Sequence, residues 1–222
     1  MASPLQDGIS LVQMMECMGS DLTVVNSARV SFGKESSEMC EKDEKLIRYL
    51  AKHNHNSPFF HPQIQFRLRM PIWVAREWFR HTVGFARNEI SRRYVDDTPE
   101  FYVPTSLRER DTNLKQGSKE NPPEQDAKAC EIIKEVTGLC NDTYNRLLEL
   151  NVAPELARII LPQNMYTEFI ETGSLSAYAR LCALRTNPSA QKEIQLYAEA
   201  VGNELEKIFP VSWKALMPSD KN

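Results

Sequence analysis

Five arginines lie within one stretch of the chain, residues 76–96, whose sequence is REWFRHTVGFARNEISRRYVD. The acids Glu77 and Glu89 and several aromatic residues lie between them. The guanidinium group forms bidentate, charge-assisted hydrogen bonds with phosphates and carboxylates, so this pattern is typical of a site for an anion or a nucleotide. A solvated surface of ion pairs is the alternative, but Asn88 and Ser91 alternate with the arginines, which favours recognition. The five are Arg76, Arg80, Arg87, Arg92 and Arg93.

The composition excludes several classes of protein. Lys and Arg number 27 against 30 Asp and Glu, a net charge of -3, which argues against a general binder of nucleic acid or membrane surfaces. No apolar run reaches the length of a membrane span, and the N-terminal residues lack the pattern of a secretory signal. The five scattered cysteines include no CxxC pair, so we expect reduced thiols in a cytoplasmic protein.

Ready-made phosphate-binding and catalytic motifs are missing, since GxGxxG, GxxxxGK[ST], GxSxG and HExxH do not occur. Any phosphate would therefore be held mostly by arginines. Arg158, Arg180 and Arg185 lie in apolar helical patterns, where a cation either extends to solvent or needs an anionic partner. Several such arginines in an acidic protein favour one shared anionic ligand.

The histidines of HNHNSPFFH, residues 53–61, have the spacing of a possible pair of metal ligands. No Asp, Glu or Cys joins them within that stretch. Hydrogen bonding in a loop, or a ring stacked on a ligand, is therefore the favoured interpretation, and no metal is predicted.

The elements that must position these residues begin with a strand. Residues 63–70, QIQFRLRM, alternate apolar and polar side chains, which is the clearest strand pattern in the chain. Pro71 suits the first turn of a helix, so residues 71–81 are predicted as a helix that Gly84 ends. The following FARNEISRRY is predicted as a loop or a short extended piece.

The rest of the chain has few strand patterns and many helical ones. Residues 9–17 predict a strand and residues 41–55 a helix, whereas residues 108–126 are polar and predict a surface loop. We therefore expect one α+β domain over residues 1–222 with a helix-rich C-terminal half. Further helices are predicted at residues 127–150, 153–162, 173–185 and 190–209.

Taken together, these segments resemble the flavin-dependent thymidylate synthases. The signature of that family is Arg-His-Arg, then about seven residues, then Ser within Asn-Glu-x-Ser-x-Arg-Tyr, and FRHTVGFARNEISRRY is similar to it. The segments VVNSARVSFGK, HNSPFFH, EFYVP, ARIILPQNMYT and ALRTNPSAQKEI also follow the family's order. The resemblance covers roughly residues 20–210, and several separated motifs make it far more specific than the arginine signature alone.

The resemblance implies that dUMP is methylated to dTMP with methylenetetrahydrofolate as the carbon donor. NADPH reduces FAD, and the reduced flavin supplies the hydride. It also implies that no cysteine acts as a nucleophile, and that a homotetramer shares its active sites between subunits. The implied fold is a mixed or antiparallel sheet flanked by helices.

The resemblance assigns two catalytic residues and two groups of contacts. Arg185 favours ionisation of the uracil at N3, because a fixed cation stabilises developing negative charge. Ser91 is expected near the nucleotide phosphate. The implied FAD contacts are Ser57, Arg80, His81, Thr82, Val83, Glu89, Ser174 and Arg180. The implied dUMP contacts are Glu77, Arg80, Glu89, Ile90, Ser91, Arg92, Arg93, Arg158 and Arg185. The arginines expected to converge across neighbouring protomers are Arg80, Arg93, Arg158 and Arg185.

The chain departs from the family pattern at several of these positions. Thr82 replaces the third arginine of the signature, and the gap to Ser91 is one residue longer. Glu77 stands where glutamine is common, and Phe60 where glutamate often occurs. The family has a second segment that contacts the flavin, later in the chain. Some members have Asn, Arg and Asn there, where this chain has Ser174, Ser176 and Arg180. The candidates to supply the charge missing at Thr82 are Arg87, Arg92 and Arg180.

Two other functions are compatible with the same residues. A nucleic-acid-binding module would use the arginines and aromatic residues against a phosphate backbone, although the acidic net charge argues against it. A structural or regulatory protein would keep the fold without the chemistry, and the departures at Glu77 and Thr82 leave this open.

Overall fold

A four-stranded antiparallel sheet forms the centre of the chain in a computed structural model, which describes residues 1–95, 97–112 and 117–217. The strands are β1 (Leu11–Met18), β2 (Gln63–Pro71), β3 (Phe85–Glu89) and β4 (Tyr166–Ser174). Their order across the sheet is β1-β2-β4-β3, so the two central strands come from opposite halves of the chain. The predicted α+β fold is confirmed.

Helices occupy most of the remaining described residues. They are α1 (Asp21–Arg29), α2 (Glu41–Lys52), α3 (Ile72–Trp78), α4 (Asp126–Glu149), α5 (Pro154–Ala157), α6 (Leu175–Arg185), α7 (Lys192–Ile208) and α8 (Pro210–Leu216). Short 3-10 turns lie at Val30–Phe32, Ser57–Phe60 and Arg158–Ile160. Within the described part of the chain, no helix is long and apolar enough to span a membrane.

The alternation in β2 divides the sheet into a buried and a polar face. Ile64, Phe66, Leu68 and Met70 are fully buried, and Phe66 makes an edge-to-face contact with Tyr178 of α6 at 5.3 Å between ring centroids. Burying a side chain of this size contributes about 1.5–3 kcal/mol. The strand predicted from the sequence therefore anchors the helices on one face of the sheet.

The sequence prediction is wrong about the other central strand, β4, since it predicts no strand there and assigns the end of β4 to a helix. The segment YTEFIETGS places Glu171 on the buried face, so it lacks the apolar alternation of β2. Gly173 lies so close to β3 that a Cβ there would be 2.5 Å from the ring of Phe85. Contacts with neighbouring strands, rather than a local pattern, make this segment a strand.

The predicted helix after β2 is shorter than expected. It ends at Trp78, so Gly84 does not end it and instead precedes β3. Pro71 is the last residue of β2 and has extended backbone with ψ 145°, so it does not occupy the first helical turn. The Ile72 N–H donates to the Met165 carbonyl at 2.9 Å, which satisfies the first free donor of α3.

The other predicted elements are confirmed with shifted ends, whereas α1 and α8 are absent from the prediction. The extended piece expected after Gly84 contains β3. In the predicted loop 108–126, the described residues before α4 are without a helix or strand. Arg108 forms an ion pair of 2.7 Å with Glu193 of α7, so this segment is held against the helices. Residues 113–116 lie outside the described residues.

A buried carboxylate joins three of these elements. Glu171 of β4 is 0% exposed and accepts a hydrogen bond of 3.1 Å from Trp78 Nε1 of α3. It also forms an ion pair with Arg87 of β3, whose guanidinium lies 4.8 Å from the centroid of the Phe85 ring. Burial raises the pKa of Glu171, and the Arg87 guanidinium opposes that shift. The pair fixes β3 against β4 and α3.

We expect Arg87→Met to lower the free energy of unfolding by about 3–5 kcal/mol, because it leaves the buried Glu171 carboxylate without its cation. Urea denaturation measures this loss. Arg48→Met is the matched control, since Arg48 pairs with Glu44 on the exposed surface of α2 and its loss should cost less than about 0.5 kcal/mol. Equal stabilities of the two variants would contradict the role of the buried pair.

Candidate active site

Arg185, the last residue of α6, is held by three hydrogen bonds. Its Nε donates to His81 Nε2 at 2.9 Å, its Nη1 to Glu77 Oε2 at 3.2 Å, and its Nη2 to the Glu77 carbonyl at 3.1 Å. These bonds use one N–H on each nitrogen. Because a guanidinium carries five N–H donors, two remain for a ligand. The structure thus brings together three residues predicted from the sequence, and fixes a cation that has unused donors.

His81 is neutral in this arrangement, because its Nε2 accepts the bond from Arg185. Burial lowers the pKa of His81 to about 4, and the positive charge of Arg185 is the next cause, followed by Arg87, Arg180 and Arg80. Protonation would place a second positive charge against Arg185 and remove its acceptor. The low pKa therefore keeps the Arg185 contact intact at neutral pH.

The loop that leads into β3 is anchored by Arg180 of α6. Arg180 Nη2 donates to the Val83 carbonyl at 2.9 Å, and Nη1 donates to Ser176 Oγ at 3.2 Å. Gly84 has φ +83°, and a Cβ there would lie 3.0 Å from Ala177 Cβ. Glycine thus allows both the left-handed backbone and the close approach of the loop to α6.

The structure distinguishes the three arginines that could replace the charge missing at Thr82. Arg87 is committed to its buried ion pair, and Arg92 pairs with Asp97 at 2.6 Å. Arg180 binds the backbone of the residue next to Thr82. Of the three, Arg180 therefore has the contact that brings its charge to this loop.

The surface around this loop is compatible with the FAD expected from the resemblance. Arg80 is exposed and forms no ion pair within the described residues, and the Arg180 Cζ lies 5.9 Å from the centroid of the Phe60 ring. Val83 is 72% exposed, and Ser57 begins the 3-10 turn that contains Phe60. Ser174 caps α6 by accepting a hydrogen bond from the Ala177 N–H. Two cations beside exposed apolar groups fit a diphosphate joined to an aromatic ring system.

A pocket of about 560 Å³ opens at the other end of β3. The apolar part of its wall comes from Ile72, Leu161 and Met165, and from the exposed side chains of Leu156 and Ile159. Five residues of the predicted dUMP set line it, namely Glu89, Ile90, Ser91, Arg92 and Arg158.

Arg93 approaches this pocket without lining it. Its Nε lies 3.5 Å from Oε2 of Glu155, a pocket residue, and its guanidinium lies 5.5 Å from the centroid of the Tyr94 ring. Arg158 donates from Nε to the Glu155 carbonyl at 3.2 Å. Arg93 therefore approaches the Glu155 carboxylate and Arg158 its backbone carbonyl, so two cations lie beside this residue of the pocket wall.

Within one chain the predicted site residues form two clusters. The loop bearing His81 enters β3 at Phe85, whereas the pocket begins at Glu89, and four residues of antiparallel strand span about 14 Å. Of Arg80, Arg93, Arg158 and Arg185, only Arg158 lines this pocket among the residues that the structure describes. Their convergence across neighbouring protomers stays a prediction.

Several residues that line the pocket were assigned no ligand from the sequence, although Tyr166 and Thr167 end the family segment ARIILPQNMYT. Tyr166 and Thr167 lie at the start of the unpredicted strand β4, and Glu155 lies in a short helix where nothing suggests a ligand. Recognising β4 would have indicated them, because pairing with β3 brings its first residues beside Glu89.

None of the five cysteines lines the pocket or contacts the Arg185 cluster. Cys182 of α6 is fully buried, and burial raises the pKa of its thiol. Since the thiolate is the reactive form, Cys182 is a poor nucleophile.

Comparison with known proteins identifies the family. The family model described as thymidylate synthase complementing protein matches residues 10–211. The flavin-dependent thymidylate synthase of Thermotoga neapolitana is 39% identical over 206 residues, which cover 93% of this chain and 90% of that protein. The chain belongs to the flavin-dependent thymidylate synthases. A member from Thermus thermophilus is 38% identical over 204 residues, which cover 92% of this chain and 74% of that protein.

A solved structure of similar fold supports the same assignment. The UMP/dUMP methylase PolB from Streptomyces cacaoi, in a crystal structure bound with 5-Br dUMP, is 30% identical and has a TM-score of 0.83. The match covers 93% of this chain and 94% of that chain. The predicted family, enzyme class and dependence on a flavin are confirmed, whereas the individual site residues stay predictions.

We expect the imidazole of His81 to stay neutral down to about pH 5, since its pKa is lowered from 6.5 to about 4. NMR titration of the histidine ring signals measures this, with His81→Gln identifying the signal. In addition, the unfolded chain binds a proton between about pH 6.5 and 4 that the folded chain does not, so His81 lowers the free energy of unfolding as pH falls through this range. A ring midpoint near 6.5 would contradict the prediction.

Proposed function

We propose that this chain acts as a single catalytic domain that methylates dUMP to dTMP. Methylenetetrahydrofolate donates the carbon, and FAD reduced by NADPH is the source of hydride. The observation that carries the proposal is the guanidinium of Arg185, which is held by Glu77 and a neutral His81 and keeps two unused N–H donors. Membership of the flavin-dependent thymidylate synthases supports the reaction class.

The proposed role of Arg185 is to make the uracil ring more nucleophilic. Loss of the N3 proton places negative charge on the ring, and a fixed cation stabilises that charge without reorganising during the reaction. Glu77 and His81 act as acceptors that orient the guanidinium from one side. Because His81 is neutral, it orients Arg185 without adding charge repulsion.

The proposed FAD site surrounds the loop before β3. FAD, when bound, supplies the hydride that completes the new methyl group. Arg80 and Arg180 carry the positive charge for its diphosphate, and Val83 offers an exposed apolar contact. The proposed FAD contacts near this loop are Ser57, Arg80, His81, Thr82, Val83, Ser174 and Arg180, and Glu89 at the far end of β3 completes the proposed set.

The proposed dUMP phosphate lies in the pocket at the end of β3. Ser91 supplies a hydroxyl and Arg158 a cation, with Arg93 at the wall. Arg185, Glu77 and His81 do not line this pocket, and the loop that carries His81 enters β3 at the end away from Glu89. We therefore propose that neighbouring subunits complete each site.

The surface of α4 supports a homotetramer. Ile132, Val136 and Leu139 are spaced along one face of this helix and are 52–67% exposed. Leu156 and Ile159 are also exposed and line the pocket. Exposed apolar residues grouped on one helix face mark interaction sites, so packing of further copies is proposed to cover this face of α4.

We expect dTMP formation when dUMP, FAD, NADPH and methylenetetrahydrofolate are all present, and none when any one is omitted. In Arg185→Ala, kcat should fall about 10²- to 10³-fold, which is the usual cost of removing a preorganised donor. Product formation is measured by chromatography, with circular dichroism and oligomer mass as controls for folding. Full activity of Arg185→Ala would show that Arg185 does not activate the uracil, and an inactive wild type would favour a protein that keeps the fold without the chemistry.

We expect Leu139→Glu to dissociate the tetramer, because a carboxylate would be buried in an apolar interface. Light scattering coupled to gel filtration measures the mass. Lys134→Glu introduces the same residue on another face of α4 and should leave the mass unchanged. Tetramers of equal stability in both variants would rule out this face as the interface.

A further inference from the structure

The hydroxyl of Thr167 contacts the carboxylate of Glu89 inside the pocket at the end of β3. Thr167 is only 4% exposed, and its Oγ1 donates to Glu89 Oε1 at 2.5 Å. Pairing of Glu89 with Phe169 and a 2.9 Å bond from the Ile90 N–H to the Glu168 carbonyl hold the two strands in register. The contact is therefore fixed by the sheet rather than by a loop.

This contact orients the Glu89 carboxylate. A short hydrogen bond from a hydroxyl to an ionised carboxylate is among the stronger hydrogen bonds in proteins. Oε2 of Glu89 accepts no bond from the residues that the structure describes, and an ionised carboxylate can only accept. The free oxygen therefore suits an O–H or N–H donor of a ligand.

The charges of the pocket set the orientation of that ligand. A phosphate would be repelled by the Glu89 carboxylate and attracted by the Arg158 guanidinium, with the Ser91 hydroxyl as a further contact. A nucleotide in this pocket would therefore direct its phosphate to Arg158 and its neutral donor groups to Glu89.

We propose that Thr167 is a positioning residue, which fixes Glu89 to accept a hydrogen bond from the sugar hydroxyl of the nucleotide. This inference rests on the proposed function, since it takes dUMP as the occupant of the pocket. Thr167 acts through Glu89 and does not itself touch the nucleotide.

The test compares Thr167→Val, which is nearly isosteric and lacks the hydroxyl, with Thr167→Ser, which keeps it. We expect Thr167→Val to weaken dUMP binding about tenfold by isothermal titration calorimetry, since hydrogen bonds to charged groups contribute on this order. Thr167→Ser should stay within about twofold of wild type. Thr167→Ala provides a second hydroxyl-free variant if the valine variant does not fold.

A double-mutant cycle separates positioning from a merely structural role. In a Glu89→Ala background, Thr167→Val should cause no further loss of dUMP affinity, because the group that it orients is gone. Thr172→Val is the matched control on the same strand, since the Thr172 hydroxyl accepts from Gln65 at 3.1 Å on the opposite face of the sheet. It should bind dUMP like wild type.

Inorganic phosphate serves as a competing probe for the other end of the pocket. Its affinity should be equal in wild type and Thr167→Val, because Glu89 does not contact the phosphate. The positioning role would be overturned if Thr167→Val weakened phosphate and dUMP binding equally. It would also be overturned if Thr167→Val reduced dUMP affinity as much in the Glu89→Ala background as in wild type. Wild-type protein that binds no dUMP would reject the proposed function itself, whereas tight dUMP binding by both wild type and Thr167→Val would reject only the role of Thr167.

Discussion

The buried ion pair between Glu171 and Arg87 is the interaction on which the site depends. It joins β4 to β3 on the covered face of the sheet, and Trp78 adds α3 through a hydrogen bond. A buried charge is costly unless it is paired, so these three elements cannot separate without a large penalty. Their junction fixes both ends of the site, because the loop with His81 connects α3 to β3.

The acidic groups beside each arginine determine whether its guanidinium has donors left for a ligand. Arg87 and Arg92 are occupied by carboxylates, whereas Arg185 is held by Glu77 and His81 and keeps donors free. Burial and nearby cations keep His81 neutral, which preserves its role as an acceptor. The carboxylate of Glu77, at a position where glutamine is common, gives Arg185 a charged partner and so a firmer orientation.

The separation of the two clusters of site residues is the reason for proposing that neighbouring subunits complete each active site. The loop that carries His81 enters β3 at Phe85, whereas the pocket begins at Glu89. Leu156 and Ile159 of the pocket wall are exposed, and so are three apolar residues of α4. The proposed association of the chain with copies of itself would complete the site and cover this apolar surface.

The sequence by itself determined the family, the α+β class, the strand β2 and most helices, since these depend on local motifs and on periodic burial. It could not reveal β4, because Glu171 interrupts the apolar pattern and is tolerated only through Arg87 and Trp78, which are distant in sequence. For the same reason it named Arg87, Arg92 and Arg180 as equal candidates near Thr82, whereas their ion pairs distinguish them. Pairing of β3 with β4 places Thr167 beside Glu89. The sequence could not indicate this contact, because hydrogen bonds across a sheet join residues that no local pattern connects.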